Sequence, residues 1–320
     1  MIRKAYSPWL HRYAIFVAGA TFLLIIAGAL VTSNDAGLSV PDWPTSFGSF
    51  RMPRMVGGVK FEHGHRMVAG VVTVLTVILA LWIWRSDSRR SVRRLAAVSV
   101  LTIFIQALLG GITVLFYLPV VISVSHACMA QVFFCLSVCL ALFTGEEWGW
   151  DESRIEDSSS PSLRRLAAWT TSLVFLQLMV GAGFRHNGFG IIPHAIGALL
   201  VTGGVVWIAF RVFSRFSGEP RLKEPASLLA ALLVVQLGLG IASYILKVGA
   251  LTAPQPLLPV VTVTTIHVAV GALVLVTSLV LTLQAFRLTS AEGSSQNADE
   301  ATDKVSSRNG MLSVKAMTRP

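Results

Sequence analysis

Long runs of apolar residues alternate with short polar segments along most of the chain. A transmembrane helix needs about 20 consecutive and mostly apolar residues, and eight runs reach this length. They lie at residues 12–32, 62–84, 95–116, 121–144, 166–184, 191–211, 226–247 and 260–285. The pattern predicts an all-α polytopic membrane protein with eight transmembrane helices.

Two polar segments divide these predicted helices into parts. Residues 146–165 are polar, acidic and rich in serine, and they separate four helices within residues 1–145 from four within residues 166–285. Residues 286–320 are rich in serine, alanine, asparagine and charged groups, which is typical of a disordered segment. We therefore predict two pseudo-repeated four-helix bundles, joined by a cytoplasmic linker and followed by a disordered cytoplasmic tail.

Composition supports a membrane location and excludes a disordered protein, a coiled coil and nearly all soluble enzymes. Of the 320 residues, 54% are hydrophobic and only 13% are charged, whereas about 25% are charged in soluble domains. The mean hydropathy is +0.69. The chain is therefore expected to have the lipid bilayer as its surroundings.

The distribution of basic residues predicts how the protein is oriented. The net charge is +10, but the basic residues lie in short loops between apolar runs, so nucleic acid is not an expected partner. Lysine and arginine are concentrated in the N-terminal segment, the even-numbered loops and the tail, and loops rich in these residues face the cytoplasm. We predict a multi-pass protein of the cell inner (plasma) membrane, with both termini cytoplasmic.

Each even-numbered predicted helix carries one histidine in the third of its length nearest the outer surface. Ionisable side chains within a membrane are costly, and they usually have a function. A single membrane histidine is often only a packing residue, but four at matching depth indicate a shared role. The four are His65, His126, His194 and His267.

Paired imidazoles from facing helices are suited to bind a metal. Neutral imidazole is a common ligand of iron, copper and zinc, but zinc usually takes further nitrogen, sulfur or carboxylate donors. A haem iron needs only two axial ligands and a flat apolar slot. A small residue four positions after each histidine favours such a slot: Ala69, Ala130, Ala198 and Gly271. The simplest arrangement pairs His65 with His126 in one half, and His194 with His267 in the other.

The two halves differ beside their histidines. Glu62 and His65 share one helix face, and Arg66 adds a cation suited to a carboxylate such as a haem propionate. The matching positions of helix 6 carry Ile191 and Ala195. This asymmetry predicts a reactive site in the N-terminal half and an electron-transfer haem in the C-terminal half. The alternative for Glu62 is a solvated residue that favours the positive end of the helix dipole.

Helices 3, 5 and 7 share a second pattern, in which a glutamine precedes a glycine by four residues. The pairs are Gln106 and Gly110, Gln177 and Gly181, and Gln236 and Gly240. This spacing is typical of a small-residue packing face with an interhelical hydrogen bond. We therefore expect these residues to pack helices together.

Two motifs and the single histidines together resemble the haem A synthases of cytochrome oxidase assembly. The first outer loop reads Ala36-Gly37-Leu38-Ser39-Val40-Pro41-Asp42-Trp43-Pro44, and helix 2 begins Glu62-x-x-His65-Arg66. With the histidines of helices 4, 6 and 8, the resemblance covers about residues 12–285. It implies a substrate, haem O, whose C8 methyl group is oxidised to the formyl group of haem A.

The resemblance also implies roles for individual residues. Glu62, His65 and His126 fall at the catalytic positions, next to Arg66, in a half that binds haem O. His194 and His267 fall at the ligand positions of a resident haem b. Because haem O is apolar and confined to the membrane, a transient contact with haem O synthase is expected.

The chain departs from many bacterial members of that family in its outer loop. Those members have a cysteine pair at the positions of Val40 and Ser46, and this chain has neither cysteine. No thiol step is therefore expected there, and alanine at either position should have little effect. The three cysteines of the chain all lie in helix 4 and are expected to be apolar packing residues.

An electron carrier remains the alternative to an enzyme. A two-haem b-type membrane electron-transfer cytochrome would need the same four histidines but would give Glu62 no task. The residues alone leave open whether Glu62 is a base or a positioning group. They also leave open the electron acceptor and the oligomeric state.

Overall fold

A computed structural model describes residues 7–149, 154–250, 254 and 256–291 of the chain. Within these residues, eight helices are long and apolar enough to cross a membrane, which confirms the predicted all-α polytopic fold. They are α1 (Pro8–Ser33), α2 (Val59–Ser86), α3 (Arg90–Leu115), α4 (Val120–Thr144), α5 (Leu163–Arg185), α6 (Ile191–Arg215), α7 (Pro220–Gly249) and α8 (Leu258–Leu288).

Most helices extend beyond the predicted apolar runs. At α1 and α7, a polar side chain before the helix accepts a hydrogen bond from one of its free backbone amides. The Ser7 hydroxyl accepts a hydrogen bond from the Leu10 amide at 3.4 Å, directly before Pro8 opens α1. Glu219 similarly accepts from the Arg221 amide, and Pro220 opens α7. Proline suits the first turn of a helix because it has no amide hydrogen to satisfy.

The structure contains a strand pairing that the sequence did not predict. Strand β1 (Ile155–Asp157), in the predicted linker, pairs in parallel with β2 (Thr289–Ala291), which directly follows α8. Asp157 is buried and accepts a hydrogen bond from the Leu163 amide, at the start of α5, at 2.5 Å. Ordered structure therefore continues past residue 285, where the predicted tail began, and residues 292–320 lie outside the described part.

The two sets of four helices are arranged in the same order. In the first set, α1 packs against α2 and α4, and α3 packs against the same two helices. In the second set, α5 packs against α6 and α8, and α7 does likewise. The sets meet where α1 packs against α8 and where α4 packs against α5 and α8. This shared arrangement supports the predicted pseudo-repeat.

Apolar side chains fill the junction between the two sets. Phe22 of α1 stacks on Phe134 of α4 with ring centroids 5.8 Å apart, and Ala272 of α8 is fully buried beside them. Cys135 packs against the same cluster, and it is unpaired, like Cys128 and Cys139. These contacts support a packing role for this cysteine.

Candidate functional sites

Each of the four histidines rests on a glycine of the preceding helix. If that glycine carried a Cβ atom, its nearest imidazole atom would be Cε1 in every case. The distances would be 3.1 Å for Gly28 and His65, 3.0 Å for Gly110 and His126, 2.9 Å for Gly181 and His194, and 3.2 Å for Gly240 and His267. A methyl group at such distances would force the ring to shift. The absence of a side chain therefore sets where each imidazole lies.

These glycine seats explain the glutamine–glycine pattern of the sequence. Gly110, Gly181 and Gly240 are its three glycines, and the packing face predicted from them holds histidine rings. The fourth seat, Gly28 on α1, has Leu24 in place of the glutamine. In both halves, each histidine and its glycine lie on two consecutive helices. The repeat of the fold therefore includes the positions of the candidate ligands.

The C-terminal histidines lie next to each other. The ring centroids of His194 and His267 are 6.4 Å apart, and their planes are inclined at 83°. A metal bonded to one nitrogen of each ring at about 2 Å would hold the centroids roughly 6 Å apart. The two side chains therefore fit the two axial ligands of a haem iron.

Neighbouring side chains hold His194 in place. The Gln177 amide nitrogen donates to the His194 carbonyl oxygen at 2.8 Å, and it lies 3.0 Å from His194 Nδ1. Phe184 stacks nearly parallel to the imidazole, with ring centroids 6.4 Å apart. Residues that hold a ligand from outside the metal shell usually matter almost as much as the ligand itself.

In the N-terminal half, His65 and His126 are close enough to interact electrostatically. His126 Nδ1 lies 3.2 Å from the Gln106 carbonyl oxygen, which can only accept, so Nδ1 must carry the proton. This tautomer leaves the Nε2 lone pair free for a metal. Within the described ranges, no group of three or more histidine, cysteine, aspartate or glutamate side chains is placed to hold a metal ion. A haem iron needs only two protein ligands, and His65 and His126 could supply them.

Glu62 is buried, with 4% of its surface exposed, so it is not a solvated residue at the helix start. One carboxylate oxygen accepts from Arg66 Nη2 at 2.6 Å, and the other accepts from the Val40 amide at 2.8 Å. Both oxygens are therefore bonded, one to the next turn of α2 and one to the outer loop.

Arg66 is also directed at the outer loop. Its Nη1 donates to the carbonyl oxygens of Asp42 at 2.7 Å and Thr45 at 3.0 Å, and its Nη2 donates to that of Val40 at 3.2 Å. The predicted contact with a haem propionate is untested and stays a prediction. The contacts present make Arg66 the residue that fixes the loop on α2.

The loop is further closed on itself and on α2. Asp42 accepts hydrogen bonds from the Thr45 hydroxyl and from the Gly48 and Phe47 amides, which lower the pKa of its carboxyl group. The Ser46 hydroxyl lies 2.9 Å from His63 Nδ1. Sequence reasoning had no signal for this contact, because it depends on how the loop folds back.

A second set of polar contacts joins the two halves where α5 and α1 end. Arg185, at the end of α5, donates to the Ala29 carbonyl oxygen at 3.1 Å and to the Ser33 hydroxyl at 2.7 Å, both on α1. Burial, and secondarily the charge of Arg185, lowers the pKa of His186. This imidazole is therefore neutral near pH 7, and it is not the solvated loop residue that its position in the sequence suggests.

Comparison with known proteins agrees with this arrangement. The family model COX15-CtaA, a cytochrome oxidase assembly protein, matches residues 60–193. A heme A synthase of Lysinibacillus sphaericus is 27% identical over 198 residues, which are 60% of this chain and 62% of the relative. One from Shouchella clausii is 28% identical over 71% of this chain and 74% of the relative, and one from Shewanella oneidensis is 24% identical over 74% and 87%. Over residues 60–193, the chain is similar to the COX15-CtaA family.

The COX15-CtaA match covers the N-terminal site most directly. Residues 60–193 contain Glu62, His65, Arg66 and His126, and they end immediately before His194. The chain spans only about 62% of the length of the first relative. The similarity is therefore strongest around the candidate residues of the N-terminal half.

A matched pair of glycines in α7 tests the seat of the C-terminal ligand. Gly240→Ala should reduce the amount of bound haem or alter its absorption spectrum, because the new methyl group would lie 3.2 Å from His267 Cε1. Gly238→Ala should leave the spectrum unchanged, because nothing lies within 4 Å of its Cβ position. Both changes alter helix propensity in the same way. Equal spectra from the two purified variants would contradict the inference that Gly240 sets the position of His267.

Proposed function

We propose that this chain is a haem A synthase, which oxidises the C8 methyl group of haem O to the formyl group of haem A. The N-terminal half is the substrate site, with Glu62, His65 and His126 as its functional side chains. In the C-terminal half, His194 and His267 would hold a resident haem b as the electron-transfer group. The related heme A synthases support this assignment.

The observation that carries the proposal is the difference between two otherwise repeated sites. Both halves seat two histidines on glycines. Among the residues that the structure describes, only the N-terminal half adds a buried ion pair beside its histidines, between Glu62 and Arg66. It also has the long segment 34–58, whereas residues 186–190 alone join α5 to α6. Extra polar structure beside one pair of ligands favours chemistry at that pair and electron transfer at the other.

Conversion of a methyl group to a formyl group removes four electrons and introduces one oxygen atom. Haem b supplies one-electron transfer when bound, which suits stepwise removal. The protein's own contribution is to hold the ligands and orient the substrate. Gln106 fixes His126 with its Nδ1 protonated, and Gln177 holds His194 through its carbonyl oxygen.

The bonds of Glu62 favour a positioning role over that of a base. One oxygen of its carboxylate accepts from Arg66 and the other accepts from the Val40 amide, so neither oxygen is left without a hydrogen bond. Glu62 also joins the start of α2 to Val40 in the loop. We infer that it shapes the substrate site by holding the outer loop against α2.

The surroundings of the protein follow from the same assignment. The eight helices make it a multi-pass membrane protein. We propose that it lies in the cell inner (plasma) membrane with both termini in the cytoplasm, which places the candidate sites towards the outer face. Haem O is apolar and membrane-bound, so direct transfer during a transient contact with haem O synthase is the expected route of supply.

Haem analysis of the purified protein tests the proposal. The protein should be produced with and without a haem O synthase, and its extracted haems separated by chromatography. We expect haem b in both samples, and haem A only when haem O is supplied. Haem b alone in both samples would instead favour the two-haem electron-transfer cytochrome, since that function needs no chemistry on the macrocycle.

The outer loop offers a milder test. Val40→Ala should retain haem A formation within about twofold, because Glu62 accepts from the backbone amide of Val40, which alanine keeps. Ser46→Ala removes the partner of His63, a loss of about 1 kcal/mol, so activity should fall only modestly. A large loss in either variant at normal protein levels would show that these side chains have a further role.

A further inference from the structure

Trp43, in the outer loop, packs directly on α3. A Cβ atom at Gly111 would lie 2.5 Å from Cδ2 and 2.8 Å from both Cε2 and Cε3 of the indole. No side chain but that of glycine leaves room for this ring. The neighbouring residue, Gly110, is the seat of His126. Two consecutive glycines of α3 therefore receive an indole from the loop and an imidazole from α4.

This placement brings the indole to the edge of the N-terminal site. Successive residues of a helix point about 100° apart, so Trp43 and His126 contact adjoining faces of the same turn. Trp43 is half-buried, so part of the indole stays open to a further contact.

The position of Trp43 is fixed from both sides. Arg66 binds the carbonyl oxygen of Asp42, immediately before Trp43, and that of Thr45, shortly after it. Asp42 closes the following turn by accepting from the Phe47 and Gly48 amides. The loop thus carries Trp43 as a preorganised side chain, and α2 sets its position through Arg66.

We propose that Trp43 is a substrate-contacting residue, whose indole forms one wall of the N-terminal site and packs against the macrocycle of haem O. A flat aromatic side chain suits a flat conjugated ligand, and such pairs add to the gain from burial alone. The proposal rests on the proposed function. In this proposal, Gly111 leaves the space that the indole occupies.

Three variants test this wall. Trp43→Leu removes the aromatic face, Trp43→Phe keeps a smaller one, and Gly111→Ala pushes the indole away while leaving it in the chain. We expect Trp43→Leu and Gly111→Ala to raise the KM for haem O by about three- to tenfold, with a smaller change in kcat. Trp43→Phe should stay within about twofold of the wild type.

Two matched controls separate this contact from general damage. Trp9→Leu changes a tryptophan that is largely exposed near the cytoplasmic end of α1. Gly70→Ala adds a methyl group where nothing lies within 4 Å. Both should bind haem O like the wild type. Titration of haem O into each purified protein, followed by absorption, provides a binding measurement that does not depend on turnover.

The outcomes distinguish this inference from the proposed function. Wild-type protein that makes no haem A from haem O overturns the proposed function. If the wild type is active, unchanged haem O binding in both Trp43→Leu and Gly111→Ala overturns the wall. If Trp43→Leu also loses its resident haem, Gly111→Ala and Trp43→Phe decide, since both retain an aromatic residue at position 43.

Discussion

Glu62→Gln should leave the resident haem b spectrum intact and reduce haem A formation by about 100-fold or more. Glutamine is nearly the same size and can still accept from the Val40 amide, but it carries no charge for Arg66. Removal of one partner from a buried ion pair leaves an uncompensated charge, at a cost of about 3–5 kcal/mol. The loop that carries Trp43 would lose its fixed position, and the substrate its orientation.

The measurement is chromatography of haems extracted from cells that make haem O together with either protein. Glu219→Gln is a matched control, because Glu219 also pairs with an arginine, Arg221, at 2.7 Å, but at the start of α7. Haem A at wild-type levels from Glu62→Gln would remove Glu62 from the mechanism.

Arg66→Gln separates the two possible roles of Glu62. If Glu62 acts by holding the outer loop, loss of Arg66 should reduce haem A formation to a similar extent, since Arg66 binds three loop carbonyl oxygens. If Glu62 acts as a base, its own replacement should be far more damaging. A partly oxidised haem that accumulates in either variant would show that the first oxidation survives.

His194→Ala and His267→Ala should each abolish or strongly alter the low-spin spectrum of the resident haem. The ring centroids are 6.4 Å apart, a separation that suits two ligands of one iron. Loss of either histidine would leave the iron with one protein ligand fewer. Added imidazole should restore the low-spin spectrum in part, because alanine leaves a space of the same shape. An unchanged spectrum in both variants would contradict this ligand assignment.

Two comparisons sharpen this test. His11→Ala, in the first turn of α1, should keep the spectrum, because His11 bonds to the Ala141 carbonyl oxygen far along α4 from His126. His65→Ala and His126→Ala should retain haem b but lose turnover. Loss of resident haem in parallel with activity in the latter pair would indicate two permanent haems, as in the electron-transfer cytochrome.

The spans and the candidate ligands could be predicted from the sequence alone. A membrane requires about 20 apolar residues per helix whatever the neighbouring helices do, so the runs around His65 or His267 identify their helices locally. An ionisable residue in such a run is costly enough to indicate a function by itself. The contrast between Glu62 and Ile191 is likewise visible in the order of residues.

The contacts that give those residues their geometry depended on the tertiary structure. Gly110 and Gly111 differ by one position, yet one seats His126 and the other seats Trp43, because they face different neighbours. The Arg66 side chain donates to loop carbonyl oxygens, and no sequence periodicity describes these contacts.

The pairing of the two short strands also depended on the tertiary structure. Strand β1 pairs with β2 across most of the C-terminal half of the chain, and neither three-residue segment has a local pattern that indicates a strand. Hydropathy determines which segments of this protein lie in the membrane, because the free energy of placing a helix in the bilayer depends mainly on the residues of that segment. Only the tertiary structure decided where the loop lies, where the histidine rings pack and how the strands pair. These contacts join residues far apart in the chain, so their free energies cannot be assigned to one segment.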